Sequence, residues 1–170
     1  TITSADDALK SKTSVTINGG NLTITNSYES IESPLITVNN GNVYVSATND
    51  GINTTNGTVS GGTEQNDGSN FYMNGGYLVS YCSNGDAMDC NGNFSMKGGT
   101  MILHGPQSQP EQAIDVNGTL DVSGGFFIAG SPSSNMNKAM ASTSAQYGLF
   151  ITSSSGVAAG TIFRIQDGSG

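Results

Sequence analysis

Two short motifs recur in fixed order along this chain, and that recurrence restricts the fold more than any other property of the sequence. One is a glycine turn followed by an apolar alternation: Gly19-Gly20-Asn21-Leu22-Thr23-Ile24, then Asn40-Gly41-Asn42-Val43-Tyr44-Val45. It returns as Gly75-Gly76-Tyr77-Leu78-Val79, Gly98-Gly99-Thr100-Met101-Ile102-Leu103 and Gly124-Gly125-Phe126-Phe127-Ile128. The other is a polar, a small, an aliphatic and a second polar residue. It reads Asp7-Ala8-Leu9-Lys10, Glu29-Ser30-Ile31-Glu32, Asp50-Gly51-Ile52-Asn53, Asp86-Ala87-Met88-Asp89 and Gln112-Ala113-Ile114-Asp115. Repeats this short cannot bury an apolar face alone, so each must be one rung of a stack.

Each repeat supplies three strand-like pieces. The first ends just before the glycines, as in Val15-Thr16-Ile17, Ile36-Thr37-Val38, Phe71-Tyr72-Met73, Phe94-Ser95-Met96 and Leu120-Asp121-Val122. Its period-two alternation is that of a half-buried strand. The second piece follows the glycines and the third is the acidic motif. Three distinct strands in constant order, with no helix-period segment between them, predict an all-β, right-handed parallel β-helix of about six rungs. The expected organisation is one domain over residues 1–170, with repeats over about 2–141. From Gly20 the turn recurs at Gly41, Gly76, Gly99 and Gly125, at intervals of 21, 35, 23 and 26 residues. The long interval holds an insertion over about 60–70, expected as a corner loop walling a binding face. A sixth, weaker copy of the acidic motif is Lys138-Ala139-Met140-Ala141. The tail over about 142–167, with Leu149-Phe150-Ile151 and Ile162-Phe163-Arg164-Ile165, keeps strand chemistry and is expected to cap the last rung.

The composition narrows the partners. A formal net charge of −8 argues against nucleic acid and anionic membrane surfaces, which need a positive field. It suits cations, neutral polymers, or anionic polymers reached through a bridging cation. No run approaches the roughly 20 apolar residues of a membrane span. The chain opens inside the first repeat, as expected for a mature or excised domain, so the lack of a leader says nothing against secretion. Cys82 and Cys90 both point inward across the Ser83-Asn84-Gly85 turn, which leaves a disulfide and two buried thiols as alternatives. With a single histidine, His104, and no CxxC motif, a zinc site is not expected.

The second strand has an apolar outer face. If Leu22, Val43, Leu78, Met101 and Phe127 point inward, Thr23, Tyr44, Val79, Ile102 and Ile128 form one outward column. Asn21, Asn42, Tyr77, Thr100 and Phe126 form its neighbour. Either the tail or another subunit covers this face, or Tyr44, Tyr77 and Phe126 form a strip on which sugar rings stack.

Stacking turns the acidic motif into columns about 4.8 Å per step. The first column holds Asp7, Glu29, Asp50, Asp86 and Gln112; the second holds Lys10, Glu32, Asn53, Asp89 and Asp115. With Asp6 and Glu111, nine of the thirteen acidic residues fall in this strip. Like charges at that spacing repel by about 1 kcal/mol per pair in water and more where solvent is excluded. Raised carboxyl pKa values or a bound cation relieve this. Calcium, which takes six to eight oxygen ligands, is the cation expected, on Asp7, Glu29, Glu32, Asp50, Asn53, Asp86 and Asp89. The small Ser30, Gly51 and Ala87 between them are expected to leave room for it, and the chemistry is expected in the first four rungs. Positions three apart on a regular strand face opposite ways, so Asp50 and Asn53 share an ion only if the first column lies at a corner. A weaker second candidate is Glu64, Asp67 and Asn70 in the insertion.

The Asp-Gly-Ile-Asn and Asp-Ala-Met-Asp motifs alternating with Asn-Gly-Gly turns resemble the secreted, clostridial-type carbohydrate-binding β-helix domains. The resemblance covers about residues 4–141. It implies a pectate-lyase-like fold, an extracellular or cell-surface location, and calcium-dependent binding of cellulose and acidic plant cell-wall polymers such as polygalacturonate. It also implies calcium-facing roles for Asp7, Glu29, Glu32, Asp50, Asn53, Asp86 and Asp89. Glu29-Ser30 and Gln112-Ala113 depart from the stronger Asp-Asp-Gly form, so a ladder of identical sites is not implied. The leading expectation is a non-catalytic, calcium-dependent polysaccharide-binding domain. The alternatives are a fibre or adhesin subunit that self-associates through the second-strand face or the rung ends, and a calcium-dependent lyase. For a lyase base the strip offers only Lys10, while Arg164 lies in the tail. A glycosidase pair is only weakly signalled.

Overall fold

The computed structural model describes residues 1–59, 64–134 and 136–166. Among them there is no helix, and the strands fall into turns of three. The first turn holds β1 (Ile2–Thr3), β2 (Leu9–Lys10) and β3 (Val15–Ile17). The second holds β4 (Asn21–Asn26), β5 (Ile31–Glu32) and β6 (Leu35–Val38). In the third are β7 (Asn42–Ala47), β8 (Ile52–Thr54) and β9 (Asn70–Met73). The fourth has β10 (Tyr77–Cys82), β11 (Asp89–Cys90) and β12 (Asn93–Met96). The fifth has β13 (Thr100–His104), β14 (Asp115–Val116) and β15 (Leu120–Val122), and β16 (Phe126–Gly130) opens a sixth. Every third strand pairs in parallel, giving sheets β1-β4-β7-β10-β13-β16, β2-β5-β8-β11-β14 and β3-β6-β9-β12-β15. The chain is therefore a parallel β-solenoid of five full turns, with three strands per turn.

The register explains the patterning. Ile36, Phe71, Phe94 and Leu120 stand in one inward column, and Val38, Met73, Met96 and Val122 in the next. All eight are buried. The Phe71 and Phe94 rings stack at 5.2 Å between centroids, and Phe127 tilts against Phe94 at 6.0 Å. Such stacked contacts give the core a cohesion that isolated short strands lack.

The glycine turns carry two constraints at once. Gly76 and Gly99 have φ of 84° and 86°, and a Cβ on either would lie within 2.7 Å of the carbonyl oxygen of the glycine one rung before. Only glycine meets both conditions. Beside them runs an amide ladder, in which Asn39 Nδ2 donates to Asn18 Oδ1 and Asn74 Nδ2 donates to Asn39 Oδ1, each at 2.8 Å.

Of three expectations, one is revised, one pair of alternatives is decided and one falls partly outside the described residues. The strands expected at Leu149–Ile151 and Ile162–Ile165 do not form, and residue 167 lies outside the described residues. Leu149, Phe150, Ile162 and Phe163 are 55–90% exposed: apolar alternation equips a segment to pack but does not supply a partner. The last turn is covered by residues 140–146, which include the start of the expected cap. Ala141 N–H donates to the Leu120 carbonyl at 2.8 Å, Gln146 N–H donates to that of Val122 at 3.3 Å, and Met140 packs on the core. Second, Cys82 and Cys90 are both free and buried, and burial pushes their thiols up to about 12 and about 11. Third, of the insertion over 60–70, residues 60–63 lie outside the described residues, and the rest leads from β8 into β9.

Phe94→Ala is expected to cost about 3–5 kcal/mol, because it empties the middle of the aromatic stack. Its outward neighbour makes the control: Ser95→Ala should stay within about 0.5 kcal/mol. Urea midpoints of the two variants check this, and equal midpoints would refute the assignment of inner and outer faces.

Candidate functional site

The acidic motif divides between a corner and a strand. Its second column lies on strand and is in register, with Lys10 opposite Glu32, Glu32 opposite Asn53, Asn53 opposite Asp89 and Asp89 opposite Asp115. Its first column precedes the strands, at the corner, where it binds backbone. Asp7 Oδ1 accepts from the Glu29 N–H at 3.2 Å, Asp50 Oδ1 from the Asp86 N–H at 2.8 Å, and Asp86 Oδ1 from the Gln112 N–H at 2.5 Å. Each carboxylate thus caps the equivalent amide one rung on. The break in alternation lets residues three apart face the same way. The small residues between them have a different cause from the one expected. Ser30, Gly51 and Ala87 are buried, and a Cβ on Gly51 would fall 1.9 Å from Ser80 Oγ. They are small because the corner backbone packs tightly against the interior.

Two carboxylate clusters result, each with ligand oxygens within 4.8 Å of one another. The first joins Asp7, Glu29 and Glu32. Lys10 sits on it, its Nζ 2.9 Å from Asp7 Oδ2 and 2.5 Å from Glu32 Oε2. The second joins Asp86, Asp89 and Asp115. It opens into a cleft of about 260 Å³ that Glu64 and Glu111 also line. On the rung between the clusters, Asp50 joins neither, while Asn53 reaches back to the first. Asp50 serves the Asp86 amide, while Asn53 Nδ2 donates to Glu29 Oε1 at 3.2 Å.

The weaker candidate in the insertion is not assembled. Asp67 turns inward on its own loop, accepting from the Asn56 N–H at 2.6 Å and the Ser69 N–H at 2.8 Å, while Glu64 joins the cleft. Asp115 and Glu111 were placed in the strip but not nominated as ligands, and Glu64 was nominated only with Asp67 and Asn70 in the insertion. Asp115 was visible as a column member, whereas Glu64 reaches the cleft only through the course of the insertion.

The outer face of the six-stranded sheet carries the aromatic columns in the expected register. Tyr44 is 46% and Phe126 58% exposed, while Tyr77 is half-buried and tilts against Tyr44 with centroids 5.8 Å apart. A third column adds Tyr81 and His104, in tilted contact at 5.2 Å. The outward alternation of β10 and β13, continued by one more pair, points to both. In the fourth turn only Ser83-Asn84-Gly85 separates the end of this face from Asp86. The aromatic face and the acidic strip therefore meet at one corner.

A protein-family model described as "Carbohydrate-binding domain-containing protein" matches residues 1–113 of the 170. The chain belongs to that family. No curated protein and no solved structure matches it. The matched region includes both clusters except Asp115, and Tyr44, Tyr77, Tyr81 and His104 of the aromatic face.

In this carbohydrate-binding domain the strip is electrostatically strained. Burial, followed by the charges of Asp50, Asp86 and Asp115, pushes Asp89 up to about 8. Asp86 is also raised to about 8, by burial and its acidic neighbours against the Gln112 amide. Burial raises Asp50 to about 6, and burial with Glu64 raises Asp115 to about 6. Glu29 rises to about 8, chiefly through burial, and its Oε2 is a buried oxygen without a hydrogen-bond partner. Asp7 runs the other way: burial raises it, but Lys10 and Glu32 outweigh that and hold it low. The two hydrogen bonds also hold Lys10 charged, with its pKa raised. An elimination base needs a lowered pKa, so Lys10 has the wrong bias for that role. Three hard carboxylates without a basic ion-pair partner among the described residues, at the mouth of a polar cleft, fit a calcium ion.

A carboxyl whose pKa is raised by folding supports the fold in its neutral form. That support is intact below the ordinary carboxylate range and lost as pH rises through about 6 for Asp50 and Asp115 and about 8 for Asp86, Asp89 and Glu29. With chelator present, the melting temperature should fall from pH 5 to pH 8.5 by roughly 5 °C or more. Millimolar calcium at pH 8.5 should reverse the fall. A melting temperature that is flat or rising across this window would refute the like-charge account.

Proposed function

We propose that this protein is a non-catalytic, extracellular domain that binds polysaccharide on the outer face of its six-stranded sheet, with calcium held in the adjoining acidic strip. The observation that carries this reading is the exposed, in-register aromatic face. Tyr44, Tyr81, Phe126 and Ile128 are all at least 40% exposed on a surface that no described segment covers. Exposed aromatic rings in an ordered array suit the apolar faces of sugar rings, which bring hydroxyls to the rim and an apolar surface to the stack. Family membership supports the carbohydrate and leaves its identity to experiment.

Calcium enters through the second cluster. Asp86, Asp89 and Asp115 would hold the ion, with Glu111 and Glu64 as nearby donors. When bound, the ion supplies two positive charges at the corner beside the aromatic face. That allows a uronate polymer to bind despite the net charge of −8. Neutral glucans such as cellulose would rely on the aromatic face alone.

Self-association is the second reading. It is favoured by one observation: the outer face of the six-stranded sheet leaves Phe126 58% and Ile128 44% exposed, an apolar surface that a second copy would cover as readily as a sugar. Sedimentation separates it from the first reading, since a binding domain remains monomeric when calcium and protein concentration are varied.

The expected binding profile has two parts. Polygalacturonate should bind in calcium and be released by chelator, whereas cellulose should bind in either. Tyr44→Ala combined with Tyr77→Ala should weaken both by about tenfold, on the order of 1–2 kcal/mol. Asp89→Asn should remove only the calcium-dependent part. Unchanged affinities in the double tyrosine variant would sink the aromatic-face reading.

A further inference from the structure

The two carboxylate clusters are built alike but neutralised differently. Around Asp86, Asp89 and Asp115 no lysine or arginine forms an ion pair among the described residues. Lys138, whose charge acts on Asp115 from a distance, gives its Nζ to the carbonyl oxygens of Val116 and Gly118, at 2.6 and 3.0 Å. Around Asp7, Glu29 and Glu32 the arrangement is the opposite. Lys10 occupies the second column itself, opposite Glu32, and its Nζ bridges Asp7 Oδ2 and Glu32 Oε2. The third member, Glu29, is 8% exposed, and its Oε2 is a buried oxygen without a hydrogen-bond partner.

We propose that Lys10 is the resident cation of the Asp7–Glu29–Glu32 cluster, so that the acidic strip offers one open calcium site where its carboxylates suggest two. The inference rests on the calcium reading of the other cluster. An ammonium 2.5–2.9 Å from two carboxylate oxygens stands where a calcium ion, which bonds oxygen at about 2.3–2.6 Å, would have to stand. Admitting the ion means breaking two charge-assisted hydrogen bonds and placing two positive charges beside a third. Lys10 is also covalently tethered, so it is present at any calcium concentration. The first turn is thus neutralised permanently, and the fourth and fifth turns only when the ion is available.

Calcium titration of the full chain by calorimetry, with equilibrium dialysis to count ions, tests this. One ion is expected for the unaltered protein, two for Lys10→Met, none for Asp89→Asn, and one for Lys10→Met combined with Asp89→Asn. Two ions in the unaltered protein, or one in a folded Lys10→Met variant, would overturn the assignment. If the unaltered protein binds none and Lys10→Met binds one, Lys10 keeps its role while the calcium reading of Asp86, Asp89 and Asp115 falls. A measurement on the unaltered chain stands in if Lys10→Met does not fold. Acylation of Lys10, followed by mass spectrometry against Lys12, should proceed at the same relative rate in chelator and in saturating calcium. Faster labelling in calcium would mean the ion displaces the amine, and would overturn the proposal.

Discussion

Parallel strands stacked in register set each side chain over its counterpart about 4.8 Å away, and the rest of the molecule answers to that spacing. Apolar residues profit from it, as the Phe71–Phe94 stack does. Amides profit too: in the Asn18–Asn39–Asn74 ladder the central Asn39 donates to Asn18 and accepts from Asn74. Carboxylates are the group that loses. The chain compensates them at the corner, where Asp7, Asp50 and Asp86 bind backbone amides, and through Lys10 in the first turn. For Asp86, Asp89 and Asp115 no basic side chain among the described residues forms an ion pair.

That asymmetry separates architecture from chemistry. A cluster whose charge is met by an ammonium belongs to the scaffold, even in a motif that reads as a metal ladder. What remains available is a single cluster at the corner where the aromatic columns end. On the function proposed above, a neutral surface for rings and a cation seat beside it would give one solenoid edge two kinds of affinity, and neither would need a moving part.

Much of the fold was legible in the residues because stacking makes register and repetition the same thing. The inward columns, the glycine turns and both outward columns of the six-stranded sheet were readable from alternation alone. The site was only partly legible. Column membership brings Asp89 to Asp115, but it cannot show that Lys10 bends onto Asp7 and Glu32, since a side chain's reach is not a property of its position. Nor could it show that Gly51 is small because Ser80 lies behind it, or that an insertion brings Glu64 to the cleft. The tail misled for a related reason. Leu149-Phe150-Ile151 has the pattern of a strand, and a pattern says nothing about an available edge.

The corner hydrogen bonds have one more consequence. Asp7, Asp50 and Asp86 each serve a backbone amide that comes later in the chain, not an earlier one, so these links between repeats run in one direction. During synthesis each of these acceptors is in place before its donor emerges, so the first, third and fourth turns each hold a prepared seat for the next. The solenoid is thus polar in its assembly as well as in its strands.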